Sequence, residues 1–151
     1  MRLFRITKRE FAEDLSGQGS FLYGGRWNYK GRRMLYASEN ASLALLENLV
    51  HLQGFRILPD LVLVEMEFEP TRTENLSVPD LPDDWRKNPG PDALKELGSD
   101  FLDDMKFPAL VVPSVVMPRD NNVLINPLHP ESAGIKIVRT EKFSPEGRLF
   151  L

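Results

Sequence analysis

The chain has 151 residues, 42% hydrophobic and 27% charged, which is the balance of one globular domain with a sizeable core. It contains no cysteine and two histidines, which excludes disulfide scaffolds, thiolate metal sites, cysteine nucleophiles and an all-histidine catalytic metal centre. Its 19 basic and 22 acidic residues leave a net charge of −3, which argues against a broad nucleic-acid-coating surface, and no stretch approaches the roughly 20 apolar residues that span a bilayer.

The first five residues, Met1 to Arg5, are followed by charge rather than an apolar signal core, so a cytoplasmic address is expected. Leu3 to Ile6 is a predicted strand. Thr7 to Glu10 reads as a capping box for a short helix through Leu15, ended at Gly17. Gly17 to Gly25 reads as a glycine-rich turn, without the Gly-Lys-Ser/Thr of a P-loop or the third glycine of a dinucleotide fingerprint. A strand over Arg33 to Ala37 is followed by the clearest helix, Glu39 to Gln53, with Ser38 as cap and Gly54 as stop. Leu61 to Glu69 alternates as a strand, with Val62, Val64, Met66 and Phe68 on one face and Glu65, Glu67 and Glu69 on the other.

Pro79, Pro82, Pro89 and Pro91 mark an irregular stretch. A helix is predicted over Pro91 to Met105. Strands are predicted over Ala109 to Val116, Asn122 to Ile125 and Ile135 to Thr140, with a last edge at Leu149 to Leu151. Strands dominate the second half with few helices between them. The expected class is a single α+β domain with a mixed, largely antiparallel sheet.

Three places carry unusual chemistry. In Gly24-Gly25-Arg26-Trp27-Asn28, two glycines permit close backbone approach and the guanidinium suits a phosphate or carboxylate; the alternative is a hairpin entry with Arg26 paired to a surface acid. Trp27 supplies either core packing or a stacking wall. Glu47 lies mid-helix beside Leu43 and Val50, where a carboxylate is costly unless paired, used or snorkelled to water. Ser114 is a hydroxyl inside an apolar strand, outside any nucleophile elbow, and so reads as a hydrogen-bond partner for a ligand or as a satisfied core polar group rather than as a nucleophile. Asn126 and His129 read as turn residues, and Asp100, Asp103 and Asp104 as a solvated face without calcium-loop spacing.

The ordered set Gly24–Asn28, Gly31, Leu35–Ser38, Ala44–Glu47, Ser114 and Asn122–Pro130 resembles the RES-domain family, named for an arginine, a glutamate and a serine. Here those residues are Arg26, Glu47 and Ser114. The resemblance runs from about Leu3 to Thr140, with no recognisable motif between Pro70 and Phe107. It implies a toxin of a type II toxin–antitoxin pair whose antitoxin carries an Xre-like helix-turn-helix domain. It also implies a split mixed sheet like that of the ADP-ribosyltransferases. NAD is the implied substrate rather than a cofactor, degraded by hydrolysis or by phosphorolysis with inorganic phosphate. No metal, membrane or direct nucleic-acid partner is expected.

On that implication, Glu47 stabilises an oxocarbenium-like transition state. Arg26 grips the pyrophosphate or phosphate, with Gly25 permitting close approach and Trp27 beside it. Tyr36 orients the nicotinamide-bearing ribose, Ser114 holds the nicotinamide end or Glu47, Asn126 shapes the cleft and Arg5 adds a second positive charge. Two alternatives remain: a mono-ADP-ribosyltransferase acting on a protein, and a partner-binding domain without catalysis. Glu65-x-Glu67-x-Glu69 has the spacing of a transferase acid pair, but its strict strand alternation reads as a solvated face.

Overall fold

The computed structural model describes residues 1–52 and 59–150. Strand β1 (Arg2–Lys8) runs further than predicted: Thr7 pairs with Val62 inside it rather than capping a helix, and Arg9–Phe11 forms a single 3-10 turn. The first helix is instead α1 (Gln18–Tyr23), within the segment expected to be a turn. Gly17 and Gly24 explain the difference. Their φ angles of 70° and 71° place a positive-φ glycine at each end of the helix, so the glycines bound a helix instead of lacing a loop.

β2 (Leu35–Ser38) leads into α2 (Ala41–Leu52). Asn40 caps this helix, its Oδ1 accepting the Leu43 N–H at 2.8 Å, which leaves Ser38 as a strand residue. The predicted helix end at Gln53 and stop at Gly54 lie outside the described residues. β3 (Leu61–Glu67) buries Val62, Val64 and Met66 completely, as its alternation predicts. β4 (Glu74–Asn75) is a two-residue strand in the irregular stretch, too short to leave a sequence signal. α3 (Asp92–Asp104), β5 (Ala109–Pro113), β6 (Asn121–Ile125) and β7 (Lys136–Phe143) lie close to their predicted positions. The predicted edge at Leu149 is a 3-10 turn over Gly147–Phe150, and Leu151 lies outside the described residues.

Among the described residues the strands form one sheet in the order β4-β5-β6-β2-β1-β3-β7, antiparallel except for β4 against β5. The α+β class and the mostly antiparallel mixed sheet are as expected. One core cluster joins Leu3, Leu35, Val62, Val64, Met66, Val123 and Ile125. A second, on the other face of β5 and β6, packs Leu94, Phe101 and Leu102 of α3 with Trp27, Met34, Trp85, Leu110, Val112 and Leu124. Each fully buried aliphatic side chain contributes roughly 1.5–3 kcal/mol, so these clusters hold the sheet rigid. The sheet is split between its two central strands. β1 pairs with β3 through seven residue pairs and β2 with β6 through four, but β1 and β2 share one pair, Phe4 with Ser38. Beyond that pair they diverge, and α2 packs across the gap.

Candidate active site

The gap between β1 and β2 is a cleft of about 200 Å³, walled by Phe4–Ile6 on one side and Tyr36–Ser38 on the other and closed by Glu47, Asn48 and His51 of α2. A second hollow of about 320 Å³, between β1 and α1, shares Arg5, Ile6 and Tyr36 with the first and is bordered by Phe11 and Tyr23.

Glu47 lies at the centre of a fixed polar cluster. Its Oε1 accepts two hydrogen bonds, from Ser114 Oγ at 2.6 Å and from Asn122 Nδ2 at 2.6 Å. Ser114 is completely buried. It sits one residue past β5, in a tight turn where its Oγ accepts the N–H groups of Val116 and Met117 at 3.1 and 3.0 Å. With those lone pairs engaged, its proton has one direction left, toward Glu47. The turn also explains why β5 stops at Pro113 instead of running to Val116. Among the described residues no group donates to Glu47 Oε2. The carboxylate is therefore held by one oxygen and presents the other.

Tyr36 fixes a second part of the wall. Its hydroxyl donates to Asn28 Oδ1 at 2.6 Å and accepts the Trp27 N–H at 3.1 Å. Asn28 is fully buried, and its Nδ2 donates to the carbonyls of Ser20, Tyr29 and Arg32. This one side chain ties α1 and the loop after it to β2. Gly25 lies against the pair: a Cβ there would stand 2.7 Å from the Tyr36 hydroxyl and 2.8 Å from Asn28 Oδ1, so a larger residue would push the pair apart. Burial pushes the Tyr36 phenol well above its ordinary value, opposed by the Trp27 N–H and the nearby Arg26 charge.

Arg26 follows directly. Its Nη1 donates to the carbonyls of Lys87 at 2.8 Å and Trp85 at 3.3 Å, so the irregular stretch folds over it. Burial lowers its pKa, while the charge of Glu47 acts in the opposite direction. Among the described residues no acid pairs with Arg26, so the hairpin alternative with a surface ion pair is not what forms. Arg5 spans the waist between the two hollows. Its guanidinium donates to the Phe11 and Asp14 carbonyls at 2.8 and 3.0 Å, and burial lowers its pKa against the opposing pull of Asp14.

Arg26 lines neither hollow, and two further expected site residues lie elsewhere. Trp27 packs in the second core cluster and does not line the cleft, so of the two readings of this indole, packing holds. Asn126 is buried behind β6, donating to the Leu102 carbonyl at 3.3 Å and accepting the Leu128 N–H at 3.0 Å. It shapes a turn, not the cleft. Glu65 and Glu67 face away from the cleft and lie 3.7 and 4.0 Å from Arg2, as a solvated strand face does. Sequence reasoning passed over Asn122, Ser38 and Asn28. The available signal was a polar residue at the end of an apolar strand on both β2 and β6, in positions that the sheet register sets opposite each other.

The RES domain family model matches residues 2–148. The chain belongs to the RES-domain family. It is 38% identical to a protein called Toxin Res from Yersinia enterocolitica over 130 residues, covering 85% of this chain and 86% of that one. It is 38% identical to Toxin Res from Pseudomonas putida, covering 99% and 100%. A Prs ADP-ribosylating toxin from Sphingobium is 36% identical, covering 91% and 88%. Among solved structures, a chain of the M. tuberculosis MbcT–MbcA toxin–antitoxin complex superposes with a TM-score of 0.81 at 14% identity, covering 95% of this chain and 84% of that one. This last likeness is one of fold. Among the described residues no helix is long and apolar enough to cross a membrane.

Proposed function

We propose that this RES-domain chain is the toxin of a toxin–antitoxin pair and that it depletes NAD by cleaving the nicotinamide–ribose bond in the β1–β2 cleft. The observation that carries the chemistry is the carboxylate of Glu47, anchored through Oε1 by Ser114 and Asn122 with Oε2 unengaged among the described residues. Breaking the C1′–N bond leaves the electron pair on nicotinamide, which departs neutral, and positive charge develops on the ribose. A preorganised carboxylate at that carbon stabilises the charge and holds a ribose hydroxyl. The acceptor's oxygen then forms the new C1′–O bond and its proton leaves to solvent. Water gives ADP-ribose, and phosphate gives an ADP-ribose phosphate. Two contiguous hollows meeting at Arg5 and Tyr36 suit a two-part substrate; Arg26 lines neither, and its charge, which acts on Glu47 and Tyr36, reaches the substrate's phosphates as a longer-range field.

The toxin assignment draws on the relatives named Toxin Res and on the toxin–antitoxin complex that shares the fold. The partner that follows from it is a protein antitoxin, of the Xre-like helix-turn-helix type, binding in the cytoplasm where NAD is available. The Sphingobium relative, called ADP-ribosylating, favours a second reading in which the acceptor is a protein side chain. One experiment separates the two. The protein is incubated with NAD labelled on the adenine side, with and without phosphate and a cell extract. Label in small molecules with stoichiometric nicotinamide release supports NAD depletion, whereas label retained on a protein band supports the transferase.

A further inference from the structure

We propose that Asn122, backed by Ser38, is a positioning residue for the Glu47 carboxylate. The inference rests on the reading of Glu47 as the group that stabilises the ribose cation, and it names what holds that group in place.

An amide side chain has two ends, and its function depends on which end faces the acid. Ser38 Oγ donates to Asn122 Oδ1 at 2.8 Å, and Asn122 Nδ2 donates to Glu47 Oε1 at 2.6 Å. Ser38 is buried and therefore a reliable donor. Its hydroxyl engages the carbonyl end of the amide, so the NH₂ end is turned toward the carboxylate. The opposite orientation would set a carbonyl oxygen against a carboxylate oxygen. Ser38 and Asn122 are a directly opposed β2–β6 pair, so the sheet register itself places the two side chains together. Two independent elements then converge on one oxygen: β6 through Asn122, and the turn after β5 through Ser114. Two short bonds from different directions fix the position of Oε1 and leave Oε2 without a donor among the described residues, on a side chain that lines the cleft. Neither bond needs the substrate, so the geometry is set before binding.

Asn122 borders the cleft, yet both its polar ends are engaged within the protein. Its effect is therefore exerted through Glu47 and is expected in turnover rather than in substrate affinity. The experiment compares wild type, Asn122→Ala, Ser38→Ala and the double variant by nicotinamide release across NAD concentrations, with folding followed by thermal denaturation. Losing one charge-assisted bond lowers kcat by about tenfold to a hundredfold in Asn122→Ala, with KM within about threefold of wild type. Ser38→Ala, which only frees the amide to rotate, gives a smaller loss. The double variant is no worse than Asn122→Ala alone, because Ser38 acts through Asn122.

Wild-type kcat in folded Asn122→Ala, or losses from the two sites that multiply, would overturn the proposal. So would a loss confined to KM. If Asn122→Ala melts far below wild type, the decision passes to Ser38→Ala: reduced kcat at unchanged KM sustains the proposal, and unchanged kcat overturns it. Failure of the underlying reading looks different, because the wild-type protein then releases no nicotinamide or Glu47→Gln releases it at the wild-type rate.

Discussion

Ser114→Ala tests the anchoring of the site in two ways at once, because this hydroxyl is both a structural knot and the partner of Glu47. It is completely buried and engaged three times, donating to Glu47 and accepting from Val116 and Met117. A hydrogen bond to a charged group contributes about 1.5–3 kcal/mol, and each N–H left without its acceptor costs about 1 kcal/mol. Asn122 still holds Oε1 in the variant, and a water in the vacated space recovers part of the loss. We expect a net destabilisation of about 2–4 kcal/mol. At this chain length that corresponds to a drop in Tm of about 5–15 °C. Turnover falls as well, by about tenfold or more, because the carboxylate is then held from one side only. Thermal denaturation of the purified protein reads the first effect and nicotinamide release at low temperature, where the variant is folded, reads the second. Ser114→Cys, with a weaker donor in the same shape, lies between the two on both scales. A Tm within about 1 °C of wild type, together with wild-type turnover, would refute the role of Ser114 in both the turn and the site.

Gly25→Ala puts a methyl 2.7 Å from the Tyr36 hydroxyl, so it is expected to destabilise by about 1–3 kcal/mol through overpacking and to raise KM for NAD; a variant that melts and binds as wild type contradicts the packing of that turn. Arg26→Lys keeps a charge but loses the Nε and Nη2 donors left over once Nη1 is held by the Lys87 and Trp85 carbonyls, so a weakened kcat/KM that added phosphate does not restore is expected. Wild-type kinetics for that variant would contradict the role. The phenols of Tyr29 and Tyr36 both titrate late. A hydrogen bond to Glu96 leads the causes that push Tyr29 up to about 12, and burial raises Tyr36. Stability from these groups is fully present below their ordinary value of 10.0 and is lost as pH rises from there through the raised values, because the unfolded chain ionises first. Ultraviolet titration of phenolate in folded and denaturant-unfolded protein checks this, with Tyr36→Phe removing one late titration; phenolate appearing alike in both states would contradict it.

The reach of sequence reasoning differed by element for physical reasons. Periodicity carried β3, because Val62, Val64 and Met66 face one core; α2 formed as expected, but of its stripe Ala41, Leu45, Leu49 and Leu52 only Leu52 is buried, beside Leu43 and Ala44. The glycine-rich segment misled because glycine marks a change of backbone direction at either edge of a helix as readily as inside a loop. Thr7-Lys8-Arg9-Glu10 has a capping pattern, yet seven pairs with β3 outweigh it. For the site, Arg26, Glu47 and Ser114 stood out as residue types in costly places, and the structure joins Glu47 to Ser114 through one hydrogen bond. Asn122 and Ser38 left only a polar residue at the end of an apolar strand as a trace, since their pairing comes from a strand register across 84 residues of chain. Trp27 and Asn126 stood in the right motifs but face the core and a turn, which no local pattern encodes.

The central claim is that Glu47 drives cleavage of the nicotinamide–ribose bond. Glu47→Gln is the sharpest perturbation, because its amide oxygen can keep the bonds from Ser114 and Asn122 at Oε1 while the charge is lost. Both proteins, purified free of antitoxin, are incubated with NAD, with and without phosphate, and the products separated by chromatography. The account predicts nicotinamide release by wild type and a loss of at least about a thousandfold in Glu47→Gln at unchanged Tm. Equal release by the two folded proteins, or none from wild type under either condition, would contradict it.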